Sequence, residues 1–267
     1  MIEVIKQQFK NCMSLNEKQN LTREFLQVLC LKTLNDKGHF NHLAFVGGTS
    51  LRILFDLRRF SEDLDFSIYE TKGFDLKKME EDLARSFKLN GLPFESKVKS
   101  EGSIHYVLMK FTGLLKELGL AAVPEQKLSI KLEIDRNPPQ GWNLTDTVVN
   151  KTYLFSITHY DLPSLYAGKL HACFFRKFIK GRDFYDFVWY LARKVKPNFT
   201  LLNNAIRQTE KKASVIGENN FKAFLLQNIQ RIDFDAAKKD VERFLEDKEE
   251  LDGMNLKGIQ NTIESVY

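Results

Sequence analysis

Alternation of apolar and polar residues predicts a set of β-strands in the first part of the chain. The clearest case is "KLSIKLEIDR", in which the apolar residues at even positions from 128 to 134 share one face of a strand. The polar residues between them share the other face. Shorter runs predict further strands in the segments "HLAFVGG", "LDFSIYE", "FESKVKS", "SIHYVLMKFTG" and "TYLFSITHY".

Apolar residues at helical spacing predict helices between and beyond these strands. Residues 3–38 are predicted to be helical, with Thr22 as an N-cap. "TSLRILFDLRRF" is predicted as a helix that starts at Thr49 or Ser50, and "DLKKMEEDLARSFKLNG" as an amphipathic helix closed by Gly91. After the last predicted strand, the strongest helical segments are "LPSLYAGKLHACFFRKFIKG" and "DFYDFVWYLARKV".

The change from mixed to helical patterning predicts a bilobed α+β protein. A mixed-sheet domain with flanking helices is expected over residues 1–145, and a mainly helical C-terminal domain over residues 146–267. The boundary is predicted near the turn-rich segment "RNPPQGWN", which contains two prolines and a glycine.

Composition says more about the cellular compartment of the protein than about its function. The 267 residues include three widely spaced cysteines, Cys12, Cys30 and Cys173, which fit a reducing compartment better than a disulfide framework. No apolar run reaches about 18 residues, and the N-terminus lacks an apolar signal segment, so we expect a cytoplasmic protein without a membrane partner. The net charge of +5 permits a nucleic-acid partner but does not by itself indicate one.

Two aspartates in "SEDLDF" are candidate metal ligands. If residues 63–68 form a strand, its period of two directs the side chains of Asp63 and Asp65 to the same face. Neighbouring carboxylates repel each other unless a cation lies between them, and Mg²⁺ commonly binds one or two carboxylates together with phosphate oxygens and water. The alternative is a solvated acidic loop before a strand, which is the commoner context of this spacing.

The segment "FVGGTS" before that pair is a candidate phosphate site. A strand followed by Gly47, Gly48 and a helix leaves backbone N–H groups at the helix start, and these favour anions such as phosphate. Glycine permits the close approach of a ligand, and Thr49 or Ser50 can add a hydroxyl group. The alternative is an ordinary tight turn with a serine cap.

Together, a phosphate site and a carboxylate pair on consecutive elements predict nucleotidyl transfer. The turn would hold the triphosphate of an NTP, and one or two Mg²⁺ ions would reduce the charge that develops during transfer. The polar face of "KLSIKLEID" offers Glu133 as a third carboxylate, with Asp135 as the alternative. Such a group can also accept the proton of an attacking hydroxyl. Lys131 on the same face can contact phosphate.

This combination of motifs resembles known nucleotidyltransferases. The segment "GGTSLRILFDLRRFSEDLDF" is similar to the signature of the DNA polymerase beta superfamily, in which a glycine turn and a helix precede an acidic pair. With "KLEI" and "KLHACFFRKFIKGRDFYDF" in the same order, over about residues 40–190, the chain more narrowly resembles the AbiEii/MenT family. Proteins of that family are toxins of bacterial type IV toxin–antitoxin and phage abortive-infection systems.

The resemblance implies a fold, an activity and partners. The fold would be a nucleotidyltransferase sheet domain joined to a helical C-terminal domain. Family members are similar to enzymes that move a nucleoside monophosphate from an NTP to an acceptor. In the best-understood members the acceptor is the 3′ end of tRNA, and its modification blocks aminoacylation and translation. A cognate antitoxin encoded nearby is implied, and it need not bind the toxin directly.

The family motifs fall on particular residues of this chain. The glycine–serine/threonine element falls on residues 47–50, and the metal-binding acids fall on the aspartate pair described above. The later motifs place a functional lysine at Lys169 and an aspartate at Asp183 or Asp186. Compared with the polymerase pattern, the helix between the glycines and the acids is predicted to be extended by "DLRRF".

The region of Lys169 also has an interpretation from its residues alone. Gly181 is predicted to end one helix and Asp183 to cap the next, while Lys169 and Cys173 share a helical stripe with the first arginine of a basic edge. That basic edge consists of Arg176, Lys177, Lys180 and Arg182. On this interpretation Lys169 pairs with the nucleotide's phosphates. The alternatives are a solvated lysine and an aspartate that only caps its helix.

The leading hypothesis is Mg²⁺-dependent transfer of a nucleoside monophosphate from an NTP to RNA. Among Arg52, Arg58 and Arg59, we take Arg59 as a candidate contact of the triphosphate, the alternative being a charged helix face. The alternative functions are nucleotidyl or phosphoryl transfer to a protein or small-molecule hydroxyl, and nucleotide binding without catalysis. The sequence does not predict the preferred NTP, the acceptor or the oligomeric state.

Overall fold

The computed structural model describes residues 1–123, 125–176, 180–210 and 215–267, which form two units. The first unit consists of Met1–Asp56, Phe60–Pro138 and Thr145–His159. The second unit consists of Leu57–Arg59, Pro139–Leu144 and Tyr160–Tyr267. This division differs from the predicted single boundary after residue 145, because residues 145–159 supply strands to the sheet of the first unit.

The described residues contain one mixed sheet of seven strands. The strands are β1 (Leu43–Val46), β2 (Leu64–Ile68), β3 (Glu95–Glu101), β4 (Ile104–Phe111), β5 (Leu128–Asp135), β6 (Leu144–Asn150) and β7 (Leu154–Tyr160). Their order is β3-β4-β5-β2-β1-β7-β6. Strand β2 is parallel to β5 and β1 to β7, whereas the pairs β1–β2, β3–β4 and β4–β5 are antiparallel. The predicted α+β class is confirmed, and β6 is a strand that the pattern did not predict.

Helices cover the apolar face of this sheet. The helices of the first unit are α1 (Ile2–Lys6), α2 (Leu15–Asp36), α3 (Gly47–Leu54), α4 (Leu76–Leu89) and α5 (Leu114–Glu117), with a 3₁₀ turn at His39–Asn41. Leu132 of β5, Leu31 of α2 and Leu83 of α4 are completely buried in one core. Burial of each such side chain stabilises the fold by about 1.5–3 kcal/mol relative to leaving it exposed to water. The polar residues of β5 therefore lie on the opposite, partly exposed face of the sheet.

The long N-terminal helix begins at a different cap from the predicted one. The Ser14 hydroxyl accepts a hydrogen bond from the Glu17 amide at 3.3 Å, and the Glu17 carboxylate accepts one from the Ser14 amide at 2.6 Å. This reciprocal pair starts α2 and separates it from α1. Thr22 lies inside α2 and donates its hydroxyl to the Lys18 carbonyl at 2.8 Å. The prediction of Thr22 as an N-cap was wrong, since a helical threonine can bond the preceding turn instead.

Helix α3 begins earlier and ends sooner than the sequence predicted. It starts at Gly47, two residues before the first predicted position, and it ends at Leu54. Asp56 follows with a φ of 57°, in the left-handed region that commonly terminates helices. Residues 55–60 therefore lie outside the helix, and the predicted extension by "DLRRF" was wrong.

The second unit is helical with an aromatic core. Its helices are α6 (Leu162–Phe175), α7 (Gly181–Ala192), α8 (Phe199–Thr209), α9 (Glu218–Ile229), α10 (Phe234–Val241) and α11 (Leu256–Val266), with 3₁₀ turns at Glu242–Phe244 and Lys248–Gly253. Tyr166 and Tyr190 stack with ring centroids 4.3 Å apart, and Phe221 meets Tyr166 edge-on. Across the described parts of the chain, no helix combines the length and the hydrophobicity needed to cross a membrane.

Gly181 begins α7 rather than ending α6. Its amide donates to Asp240 Oδ2 at 2.8 Å, and a Cβ at this position would lie 2.8 Å from the carbonyl carbon of Ala237 on α10. Glycine therefore permits the close packing of α7 on α10. Asp183 is the third residue of α7, and its carboxylate binds Lys169. The predicted roles of Gly181 as a helix end and Asp183 as a cap were both wrong.

The predicted stripe and basic edge are only partly present. Cys173 faces α7, and its Sγ donates to the Asp183 carbonyl at 3.2 Å. Arg176 follows the end of α6 with an extended backbone, so it does not continue the helical stripe. Lys177 lies outside the described residues.

Candidate active site

Gly47 brings the backbone at the start of α3 against Asp65. Strands β1 and β2 are antiparallel with Val46 opposite Asp65, so the turn after β1 lies beside this carboxylate. Gly47 has a φ of +78°, and a Cβ at this position would lie 2.8 Å from the Asp65 carboxyl carbon. Both the backbone conformation and the contact require glycine. A helix start and a carboxylate are therefore direct neighbours.

Glu133 lies opposite Asp65 on the next strand. In the parallel pair β2–β5, Asp65 is in register with Glu133 and Ser67 with Asp135. Because paired residues of adjacent strands project from the same face, Asp65 and Glu133 share the partly exposed face of the sheet. The Asp135 carboxylate accepts the Asn137 amide at 2.9 Å, and burial raises its pKa. Glu133, rather than Asp135, is therefore the β5 acid beside Asp65.

Asp63 lies one residue before β2, at the same end of the sheet. Its backbone carbonyl accepts a hydrogen bond from the Thr49 hydroxyl, which ties this loop to α3. Its negative charge acts on the ammonium group of Lys131 in β5. The loop before β2, β2 itself and β5 thus bring three acids to one region.

Lys131 places a positive charge beside these three acids. Its Nζ lies 2.5 Å from Glu133 Oε1 and 4.3 Å from the centroid of the Tyr106 ring. Partial burial alone would lower the pKa of Lys131. The hydrogen bond with Glu133 and the charges of Glu133 and Asp63 outweigh this effect, so the pKa is raised. Lys131 therefore stays protonated and offsets part of the negative charge.

The three carboxylates are of the chemical type that binds Mg²⁺ together with phosphate. Within the described residues, no group of three or more His, Cys, Asp or Glu side chains is arranged so that it could hold a metal ion. Mg²⁺ does not require such a group, because it commonly takes one or two protein carboxylates and completes its coordination with phosphate oxygens and water. Asp63, Asp65 and Glu133 supply the hard oxygen ligands that this ion prefers.

The start of α3 offers backbone donors rather than hydroxyl groups. Val46, which cannot accept a side-chain hydrogen bond, stands at the N-cap position. Ser50 donates its hydroxyl to the Gly47 carbonyl at 2.8 Å, and the Thr49 hydroxyl is bonded to the loop of the acids. Thr49, Ser50 and Gly48 are buried. Both hydroxyls shape the turn, which differs from their predicted contact with phosphate, and the first amides of α3 are the donors suited to an anion.

Four charged residues form a buried network in the second unit. Arg59 Nε and Nη2 each lie 2.6 Å from a carboxylate oxygen of Asp186. Lys169 Nζ lies 2.7 Å from Asp183 Oδ1 and 2.7 Å from Asp186 Oδ2. Each of the four side chains is at most 10% exposed. Lys169 and Asp183 are thus partners, and Asp186 joins both cations.

The network keeps its charges because each has a partner. Burial alone would raise the pKa of Asp183, but the charge and the hydrogen bond of Lys169 hold it below its usual range. Burial would likewise lower the pKa values of Lys169 and Arg59, and the aspartates raise both instead. The guanidinium group of Arg59, predicted to contact nucleotide, is engaged with Asp186. The sequence contained no sign of this pair, since its members are 127 positions apart.

Comparison with known proteins finds a matching sequence family and solved structures of similar fold. The family model described as "Nucleotidyl transferase AbiEii toxin, Type IV TA system" matches residues 29–260. No curated protein sequence matches the chain. The structure of JHP933 from Helicobacter pylori has 18% identity and a TM-score of 0.59, covering 93% of this chain and 91% of that one. A candidate nucleotidyltransferase from H. pylori has 19% identity and a TM-score of 0.53, covering 93% and 98% respectively. At such identities the two structures establish similarity of fold alone.

Proposed function

Because the chain belongs to the family of AbiEii nucleotidyl transferase toxins of type IV toxin–antitoxin systems, we propose that it transfers a nucleoside monophosphate from an NTP to an RNA acceptor, such as the 3′ end of tRNA. The observation that carries this proposal is the contact of Gly47 with Asp65, which is itself in register with Glu133. A helix start that attracts anions thus lies beside carboxylates that attract a divalent cation. An NTP bound with Mg²⁺ matches both charges.

The turn after β1 binds the triphosphate in the proposed reaction. Gly47 and Gly48 have no side chains, so phosphate oxygens can approach the amides of the first turn of α3. The buried hydroxyls of Thr49 and Ser50 hold the turn in this shape. Lys131 adds a mobile positive charge from the neighbouring part of the sheet.

The three acids are the residues that would hold one or two Mg²⁺ ions. When bound, the metal stabilises the negative charge that develops on the transferred phosphoryl group. Asp63 and Asp65 would supply ligands from β2 and the loop before it, and Glu133 would supply one from β5. Glu133 also accepts the proton of the acceptor hydroxyl. The oxygen of that hydroxyl bonds to the α-phosphorus, and pyrophosphate leaves.

Lys169 and Asp183 stay predicted catalytic residues, on the basis of the family motif. Asp183 holds the ammonium group of Lys169, which would neutralise phosphate charge. Arg59 supports this pair through Asp186 rather than through a nucleotide contact. Family membership also implies an antitoxin partner, and we place the reaction in the cytoplasm, where NTPs and tRNA are both present.

Transfer of label from nucleotide to RNA tests the proposal. The protein is incubated with total tRNA and each of the four α-labelled NTPs in turn, with Mg²⁺ or with a chelator. We expect label in the RNA band, only when Mg²⁺ is present, and strongest with one NTP. Label on protein would mean that the acceptor is a protein rather than RNA. Nucleotide binding without transfer under any of these conditions would refute the enzymatic proposal.

A further inference from the structure

Lys131 forms an ion pair with Glu133, one of the three acids of the candidate active site. Their side chains are 40% and 32% exposed, and the Lys131 ammonium also lies over the Tyr106 ring. The nearby charge of Asp63 acts on the same ammonium. The ammonium is therefore paired with Glu133, one of the carboxylates that a divalent ion would bind.

We propose that Lys131 is an internal counter-ion, which a divalent cation displaces from Glu133 and which then binds the phosphates of the NTP. This inference rests on the proposed function. Before the metal binds, the ammonium reduces the repulsion among Asp63, Asp65 and Glu133. Once a divalent ion takes the carboxylates, it repels the ammonium, and the triphosphate is the anion that the ammonium binds instead.

The side chain of Lys131 is suited to such an exchange. Its backbone is fixed in β5, opposite Leu108 of β4. Its flexible stem carries a compact charge, and its partial exposure leaves room for rotation, so the ammonium can change partners without movement of the sheet. Metal and NTP binding are then coupled, and each ligand raises the affinity for the other by the same factor.

Binding of Mn²⁺ without nucleotide tests the first half of the proposal. The full-length chain is titrated with Mn²⁺, and the free ion is followed by its EPR signal. Lys131→Met removes the charge and keeps the length of the side chain, so we expect Mn²⁺ to bind about tenfold more tightly. Lys131→Arg keeps a positive charge and should retain the weaker affinity of the unsubstituted protein.

Lys99 provides a matched control on the same sheet. It pairs with Glu101 on β3, in the same lysine–x–glutamate spacing as Lys131 and Glu133. Lys99→Met should leave the affinity for Mn²⁺ unchanged. An equal increase in the Lys99→Met and Lys131→Met variants would reveal a general charge effect and overturn the proposal. Unchanged affinity in the Lys131→Met variant would do the same.

Binding of nucleotide tests the second half. With Mn²⁺ at saturation, each of the four NTPs is titrated by calorimetry, and we expect Lys131→Met to weaken the binding of the preferred NTP about tenfold. Unchanged or tighter NTP binding would show that Lys131 does not contact phosphate, and would overturn the exchange. If the binding results hold but no RNA is labelled, the proposed function fails while the counter-ion role stands.

Discussion

Gly47 is the residue on which the geometry of the candidate active site depends most. Its positive φ and its contact with Asp65 are separate requirements for glycine. Gly113 has only the first requirement: its φ is +83°, and no atom of the described residues lies within 4 Å of the Cβ that it would carry. Substitution of the two glycines therefore distinguishes the effect of backbone strain from the effect of steric overlap.

Replacement of Gly47 by alanine should affect both stability and activity. We expect Gly113→Ala to lower the free energy of unfolding by about 1–2 kcal/mol, the cost of a left-handed conformation. Gly47→Ala should lower it by about 1–3 kcal/mol more, because the added methyl group overlaps the Asp65 carboxylate. It should also abolish transfer of label to RNA. Urea unfolding measures the first effect, and equal losses in the two variants would contradict the contact.

His171 should make the stability of the second unit depend on pH. Burial, with a smaller effect from the charge of Arg176, lowers the pKa of His171 to about 4, and its Nε2 lies 3.0 Å from the Thr209 hydroxyl. The unfolded chain has a histidine pKa of about 6.5 and therefore binds more protons between these values. Stability is complete above pH of about 6.5 and falls as pH falls toward the folded pKa.

The size of this effect is measurable by urea unfolding at pH 7 and pH 4.5. Because the ring is partly solvated, we expect a loss of about 1–2 kcal/mol from His171 in this interval. His171→Gln removes the titrating group, so the stability of that variant should change less over the same interval. An identical pH dependence in both proteins would exclude His171 as its source.

Among the elements, the segment Leu57–Arg59 is linked to α7 by the side chain of Arg59, and through Asp186 to Lys169 of α6. Arg59 is 3% exposed and binds Asp186 through two nitrogens, whereas its neighbour Arg58 is 60% exposed and pairs with Glu250 at 2.9 Å. The two arginines are adjacent in sequence but differ in solvation. Their replacement therefore compares a buried ion network with a surface ion pair.

Arg59→Met should destabilise the second unit far more than Arg58→Met. Loss of the guanidinium group leaves Asp186 buried with only part of its charge compensated, which costs about 3–5 kcal/mol. Loss of the exposed pair at Arg58 should cost less than about 1 kcal/mol. Thermal or urea unfolding of the two variants measures the difference. Similar stabilities would mean that the buried network does not hold the segment.

Elements with strict periodicity were predicted well, and helix ends were not. The alternation in β5 predicted both its strand and its buried face, because burial on one side of a sheet imposes a period of two. Helix ends depend on local hydrogen bonds that several residues can make. Ser14 and Thr22 are both plausible caps, and only the bond with Glu17 distinguishes them. The helix–helix contact at Gly181 involves α10, far along the chain, and has no local signature.

At the scale of the whole molecule, the site depends on strand order. Residue types and spacing predicted the glycine turn and the acids, but not which acid of β5 faces Asp65. That choice follows from the parallel register of β2 and β5, which are separated in sequence by two other strands. The ion pair of Arg59 and Asp186 is equally non-local. Local patterns thus predict candidates, and the topology selects among them.

The central claim is that Asp65, between the glycine turn and Glu133, is required for nucleotide transfer. Asp135 is a matched control, because it lies on the same face of the sheet, opposite Ser67, and is bonded to its own turn. The measurement is transfer of α-labelled NTP to tRNA by Asp65→Asn and Asp135→Asn, each verified as folded. We predict a loss of about a hundredfold or more for Asp65→Asn and a near-normal rate for Asp135→Asn. A normal rate for Asp65→Asn would contradict the account.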